Sequence, residues 1–209
     1  INLYGQFVSD EFSLGDIKKS DNSWKNKYGY QLGIKYYNAF RVSDLLLQLE
    51  YNHVRPYVYS HSVPLTNYGH NNQSIGHQWG GNFKELIAIA RYHKGRYFAD
   101  AKVTMGTRGL DFDASENNFN YGGNIYKDYD ENRPFDTDVK VGQGNKTAVF
   151  IADFQWGYLV NPATNLKIFG SYIYRSFDPA KNTVSTFRES TNWLTLGLRA
   201  DVFNWYFDY

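Results

Sequence analysis

The chain has 209 residues, a formal net charge of +1, 21% charged and 19% aromatic residues, and no cysteine. The missing thiols exclude a disulfide framework, thiol catalysis and a zinc–thiolate site, and the near-neutral charge leaves no footprint for nucleic acid. No apolar run approaches the ~18 residues that a spanning helix needs, so a helical membrane protein is excluded as well; the length suits a single domain, 1–209.

In chain order, Ile1 to Val8 reads as a strand rather than a signal peptide, as expected of a mature or partial chain. Tyr28, Tyr30, Leu32, Ile34 and Tyr36 then alternate with Gly29, Gln31, Gly33, Lys35 and Tyr37. Leu45, Leu47, Leu49 and Tyr51 alternate with Leu46, Gln48, Glu50 and Asn52. The run Glu85 to Ala90 is apolar on both faces and is the weakest strand of the set. Tyr97, Ala99, Ala101, Val103 and Met105 interleave with Phe98, Asp100, Lys102, Thr104 and Gly106. Phe150, Ala152, Phe154, Trp156 and Tyr158 interleave with Ile151, Asp153, Gln155 and Gly157. Leu166, Ile168, Gly170, Tyr172 and Tyr174 make one more apolar row, and Leu194, Leu196, Leu198 and Ala200 another. Phe203, Trp205, Phe207 and Tyr209 then switch parity, which predicts a bulge or strand end near Val202. This period of two, with charge confined to one face, is the mark of strands between an apolar and a polar medium.

The connections alternate in length. Asn38 to Ser43, His93 to Arg96 and Val160 to Thr164 are short. The stretches 9–26, 56–81, 109–144 and 177–191 are long, well beyond the usual 4–6 residues or so. In an up-and-down sheet every long connection falls on one rim and every tight turn on the other, the anatomy of an outer-membrane barrel. The expected fold is therefore all-β, an antiparallel transmembrane β-barrel with about eight strands and long loops facing outside. Nineteen Tyr and five Trp suit its interfacial girdles. The competing reading is a soluble β-sandwich or barrel with a Tyr-rich core, which the loop rhythm disfavours.

The second long loop holds the most distinctive residues: "RPYVYSH" (Arg55–His61), "NYGHNNQSIGH" (Asn67–His77) and "GGNF" (Gly80–Phe83). With "LYGQFVSDEF" (Leu3–Phe12), "NKYGYQLGIKYY" (Asn26–Tyr37) and "GLRADVFNWYFDY" (Gly197–Tyr209), this arrangement resembles the Wzi-like capsule-assembly family of outer-membrane proteins, in the Bacteroidetes branch of RemB-like gliding-motility proteins. The resemblance implies a bacterial outer-membrane protein of the cell surface that binds or organises polysaccharide or serves adhesion and motility. Its partners would be outer-membrane lipid, surface polysaccharide and other outer-membrane, motility or secretion proteins. Barrels of that family have more strands than the chain supplies, so the resemblance favours the C-terminal half of a larger wall over the alternative, a small barrel of eight strands closed on itself.

Carbohydrate recognition uses aromatic faces that stack on sugar C–H groups and planar amides or charged forks that pair with hydroxyls. Arg55, Tyr57, Tyr59, His61, Tyr68, His70, Asn71, Asn72, Gln73 and His77 bring that chemistry to the loop rim and are the candidate glycan-binding residues. The plainer reading, favoured over it, is a self-packed loop that plugs the lumen. His61, His70 and His77 follow no local zinc spacing. Asp111 and Asp113 begin an alternating run of oxygen ligands but lack the Gly and the bidentate Glu of a calcium loop, so they are only weak calcium candidates. No cofactor is expected. No G-x-S-x-G elbow occurs, and the chain reads as a non-enzyme. The alternatives are an outer-membrane phospholipase- or protease-type barrel and a structural subunit of a secretion or assembly complex.

Overall fold

In the computed structural model, which describes residues 1–200, the alternating segments form one antiparallel meander of eight strands. These are β1 (Asn2–Glu11), β2 (Lys27–Tyr37), β3 (Leu45–Val54), β6 (Phe83–Lys94), β7 (Tyr97–Leu110), β8 (Asn145–Asn161), β9 (Leu166–Pro179) and β10 (Glu189–Arg199), paired in that order. A helix α1 (Leu14–Lys19) interrupts the first long connection, and a small hairpin, β4 (Gly69–His70) with β5 (Gln73–Ser74), stands in the second. The weak Glu85–Ala90 run lies inside the long strand β6. The expected aromatic ending Phe203–Tyr209 and the bulge near Val202 lie outside the described residues.

The connection rhythm is present. Tight turns join β2 to β3, β6 to β7 and β8 to β9. Long segments, 12–26, 55–82, 111–144 and 180–188, all leave from the other rim. The last of these is shorter than expected, because the β9–β10 ladder continues to Phe177↔Glu189. The ladder between β7 and β8 likewise climbs to Leu110↔Asn145. At the β6–β7 turn Lys94 pairs with Tyr97, leaving Gly95 and Arg96 as a two-residue loop. Gly95 has φ 59°, the conformation that the first central residue of a type II′ hairpin requires and that glycine adopts without steric strain.

Register sorts the strands into two faces. The row Leu3–Ile34–Leu49–Ala88–Val103–Ala152–Tyr174 runs across seven strands on one of them. Tyr4–Gly33–Glu50–Ile87–Thr104–Ile151–Arg175 is the neighbouring row on the other. Among the described residues the first face carries charge only at strand ends, at Lys84, Lys94, Lys146 and Asp178, and no core cluster forms on it. Leu32, Leu49, Met105, Phe154 and Ile168 on this bare face are 44–58% exposed. Rings meet on it toward the tight-turn rim, Tyr36 with Phe40 and Tyr97 with Tyr158, and toward the loop rim, Phe7 with Tyr28, Tyr30 with Tyr51 and Phe150 with Tyr174.

The second face carries the loops. Val54, Phe83 and Val149 project from it and bury Val58 and Trp79 of the 55–82 segment, with Tyr59, Ile151 and Phe177 at the margin. The sheet is not closed: among the described residues β1 and β10 each pair on one side only. No helix of the described residues is long and apolar enough to cross a membrane.

Candidate functional site

The long segments are tied together where they meet the sheet. Asn82 is fully buried with φ 57°. Its Nδ2 donates to the carbonyls of Gly109, Tyr121 and Gln143 at 3.1, 3.0 and 3.0 Å, and its Oδ1 accepts from the Gly142 N–H at 2.7 Å. One side chain thus gathers backbone groups from three stretches of chain, the Tyr121 carbonyl accepting from Gln143 Nε2 as well, at 3.0 Å. Arg55 ties the first and third segments, donating to the carbonyls of Asn22 and Ser23 at 3.2 and 3.0 Å and of Val139 at 3.5 Å. Tyr57 packs with Trp24 and Val139 and donates its hydroxyl to Asn120 O at 2.8 Å; its burial pushes the phenol pKa well up. Beside it Lys27 Nζ sits 3.5 Å from the Tyr129 ring centroid and 3.1 Å from Glu11 Oε1.

The candidate binding residues are therefore divided by the fold. Arg55 and Tyr57 are interior and hold the loops to one another. Tyr59, His61, Tyr68 and His77 line one cavity of about 780 Å³, whose floor is Gln6, Val8, Gln31 and Asn52 of the loop face. Asn72 and Gln73 line a second, of about 790 Å³. His70 and Asn71 are exposed around the β4–β5 turn, where Asn71 and Asn72 take φ 48° and 58°, the two positive values of a type I′ hairpin.

In the first cavity the Tyr59 and Tyr68 rings stack with centroids 5.5 Å apart and planes 25° from parallel. Tyr59 holds φ 73° because its N–H donates to Asp10 Oδ2 at 3.1 Å and its carbonyl accepts from Tyr68 N at 3.0 Å. Burial raises the Tyr59 phenol pKa, with the neighbouring Tyr68 and Asp10 adding to it. His61 Nε2 lies 3.8 Å from Asp10 Oδ1. Behind the rings a polar chain crosses the sheet. His77 meets Glu85 at 2.7 Å, Asn52 donates to Glu85 and Glu50 at 2.9 and 3.0 Å, and Tyr4 donates to Glu50 at 2.5 Å.

The hydrogen bonds on His77 fix its role. Trp79 N–H donates to Nδ1 at 3.1 Å, so Nδ1 is the unprotonated nitrogen and Nε2 carries the proton toward Glu85. Neither nitrogen is left to take a proton from a substrate, and the residue works as a latch between loop and strand. Ser60 Oγ is committed too, donating to Tyr57 O at 2.7 Å. The acid pair considered for calcium is occupied by protein donors: Asp111 accepts from Tyr121 N and Lys127 Nζ, and Asp113 from Ser185 N and Oγ. Among the described residues no group of three or more His, Asp or Glu is placed to hold a metal ion.

Asn82, Asp10 and the Glu85–Asn52–Glu50 chain were not singled out from sequence. Asn82 stands in the "GGNF" run, where an Asn after two glycines is a sequence sign of left-handed backbone. The chain matches no known family, no curated protein and no solved structure.

Proposed function

We propose that this chain is part of the wall of a bacterial outer-membrane β-barrel whose long loops fold over its inner face and offer a ring-and-amide pocket to surface polysaccharide, as in the Wzi-like and RemB-like proteins it resembles. The observation that carries the reading is the bare face. On β8, Ala148 and Tyr158 are ten residues apart with no charge between them on that side. At ~3.4 Å per residue and a tilt of about 40°, that is a band ~26 Å tall, against roughly 25 Å for the lipid-facing band of such barrels. A soluble protein rarely leaves an apolar surface of this extent uncovered.

The opposite face supports the same reading, with ion pairs and polar chains suited to a lumen and loops docked as a plug. The open edges of β1 and β10 also bear on it. Unpaired strand backbone in lipid costs several kcal/mol per group, so in the assembled barrel both edges take partner strands. Aromatic, amide and carboxylate groups around the Tyr59–Tyr68 cavity are the chemistry of sugar recognition. The committed nitrogens of His77 and hydroxyl of Ser60 favour binding over catalysis.

Two measurements test the reading. Folded in detergent or liposomes, the protein should migrate differently on gels before and after heating and should protect its strands from protease; full solubility without detergent contradicts the wall assignment. On a glycan array Tyr59→Ala and Tyr68→Ala should lose signal without loss of folding, and unchanged signal contradicts the pocket assignment.

A further inference from the structure

Arg108 projects from the loop face of β7 into the second cavity, between the β4–β5 hairpin and the 111–144 and 180–188 segments. Its guanidinium donates one bond, to Trp79 O at 3.2 Å, and lies 5.5 Å from the Trp79 ring. Its Nε is buried without a hydrogen-bond partner, and it forms no ion pair with any described residue. Arg175 adds a like charge nearby, and Glu85 offsets it without forming an ion pair with Arg108. Glu85 gives Oε1 to Asn52 and His77. Its Oε2 is without a partner. Two guanidiniums against one carboxylate leave a positive charge over in a partly desolvated place, an arrangement that is destabilising unless a counter-charge arrives.

The rest of the cavity defines what that counter-charge belongs to. Phe112 and Tyr126 supply ring faces, and Asn72, Gln73 and Asn124 supply amides. Lys127 and Asp111 neutralise each other at 2.6 Å, so Arg108 is the uncommitted cation of the lining. Rings stack on sugar C–H faces, amides pair with hydroxyls, and a guanidinium fork takes a carboxylate through two parallel bonds. We propose that this second cavity binds an acidic sugar residue, with its carboxylate on Arg108 and its ring against the Phe112–Tyr126 wall. The proposal rests on the glycan-binding reading above for the ligand being a sugar, but its cavity is separate from the Tyr59–Tyr68 pocket.

The test is calorimetric titration of the full chain in detergent with tetragalacturonate and with the methyl ester of the same oligosaccharide, which keeps the sugar and removes the charge. The acid should bind at least about tenfold tighter than the ester, a charge-assisted bidentate contact being worth that much. Arg108→Gln should abolish the difference and Arg108→Lys should recover only part of it, since an ammonium lacks the fork. Tyr59→Ala should leave the difference intact, which separates this cavity from the first. Arg108→Gln should melt no lower than the native protein, because a buried unpaired charge is removed. If that variant fails to fold, the acid-to-ester ratio of Arg108→Lys decides. Equal binding of acid and ester by the native protein, an acid preference that survives Arg108→Gln, or acetate binding as tightly as the oligosaccharide would each overturn the proposal.

Discussion

The two faces of the same strands obey opposite rules. On the bare face of β8 the side chains are Ala148, Phe150, Ala152, Phe154, Trp156 and Tyr158; on the loop face they are Thr147, Val149, Ile151, Asp153, Gln155 and Gly157. The loop face buries its upper half under Val58 and Trp79 and pairs its lower half, as in Arg91 with Asp100 at 3.8 Å. Among the described residues, neither buried core cluster lies on the bare face. Where water bathed both sides, the apolar rows would be the ones to seek cover, and here the polar ones have it. That difference is what the proposed barrel wall requires, with lipid rather than water against the bare face.

The loop side should break most easily at Asn82. Asn82→Ala strips the Asn82 partner from the Gly109 and Gln143 carbonyls and the Gly142 N–H, while the Tyr121 carbonyl keeps Gln143 Nε2; at about 1–3 kcal/mol for each group left unsatisfied, the loss is on the order of 4 kcal/mol. Hydrogen exchange should rise across 55–82 and 111–144 while the bare-face strands stay protected. Asn82→Gly, which keeps the positive φ, should lose nearly as much.

On the bare face, Ala152→Arg should lower stability in liposomes by about 2–4 kcal/mol, the usual effect of a cation on the lipid side of a barrel strand. Gln155→Arg, on the other face of the same strand, should stay within about 0.5 kcal/mol. Urea titrations of refolding into vesicles measure both, and equal effects would erase the distinction between the faces.

A smaller effect belongs to the first cavity. Removing a stacked ring at Tyr59 or Tyr68 should weaken glycan affinity about tenfold, ~1.4 kcal/mol, with the melting temperature of Tyr68→Ala little changed because that ring is half exposed.

The smallest is a pH effect at the loop rim. Asp113 accepts from Ser185 Oγ and N–H, and these bonds hold its carboxyl below the ordinary 3.8. A carboxyl depressed in the folded protein stabilises the docked loops above that ordinary value, and the contribution is lost as pH falls through the lower, folded one. Exchange at 183–187 should therefore rise as the pH falls below the ordinary 3.8, and Asp113→Asn should flatten that rise.

The strands and the loop rhythm were legible in the sequence because each depends on neighbours: a period of two and the spacing of turns are local signals. Leu194, Leu196 and Leu198 declare a face without reference to the rest of the chain. The arrangement of the loops was not legible, because it is set by bonds between distant residues. Tyr57 and Tyr59 look alike in "RPYVYSH". Yet one is sealed by Trp24 and Val139 and the other lines a cavity, and both outcomes follow from left-handed backbone at positions that are not glycine. Arg55 read as a sugar-binding fork and is spent on the carbonyls of Asn22 and Ser23. Arg108, with the single carbonyl of Trp79 as its partner, gave no signal because its neighbours come from three separate loop segments, 55–82, 111–144 and 180–188.

The lack of native cysteine makes one experiment direct. Single cysteines placed in turn at 152, 153, 154, 155 and 156 of β8, each carrying a nitroxide and folded into liposomes, report collision with oxygen in lipid and with a polar nickel reagent in water. The account predicts a strict alternation, with 152, 154 and 156 open to oxygen and shielded from nickel and 153 and 155 the reverse. Nickel reaching 152, 154 and 156 as readily as 153 and 155 would contradict it.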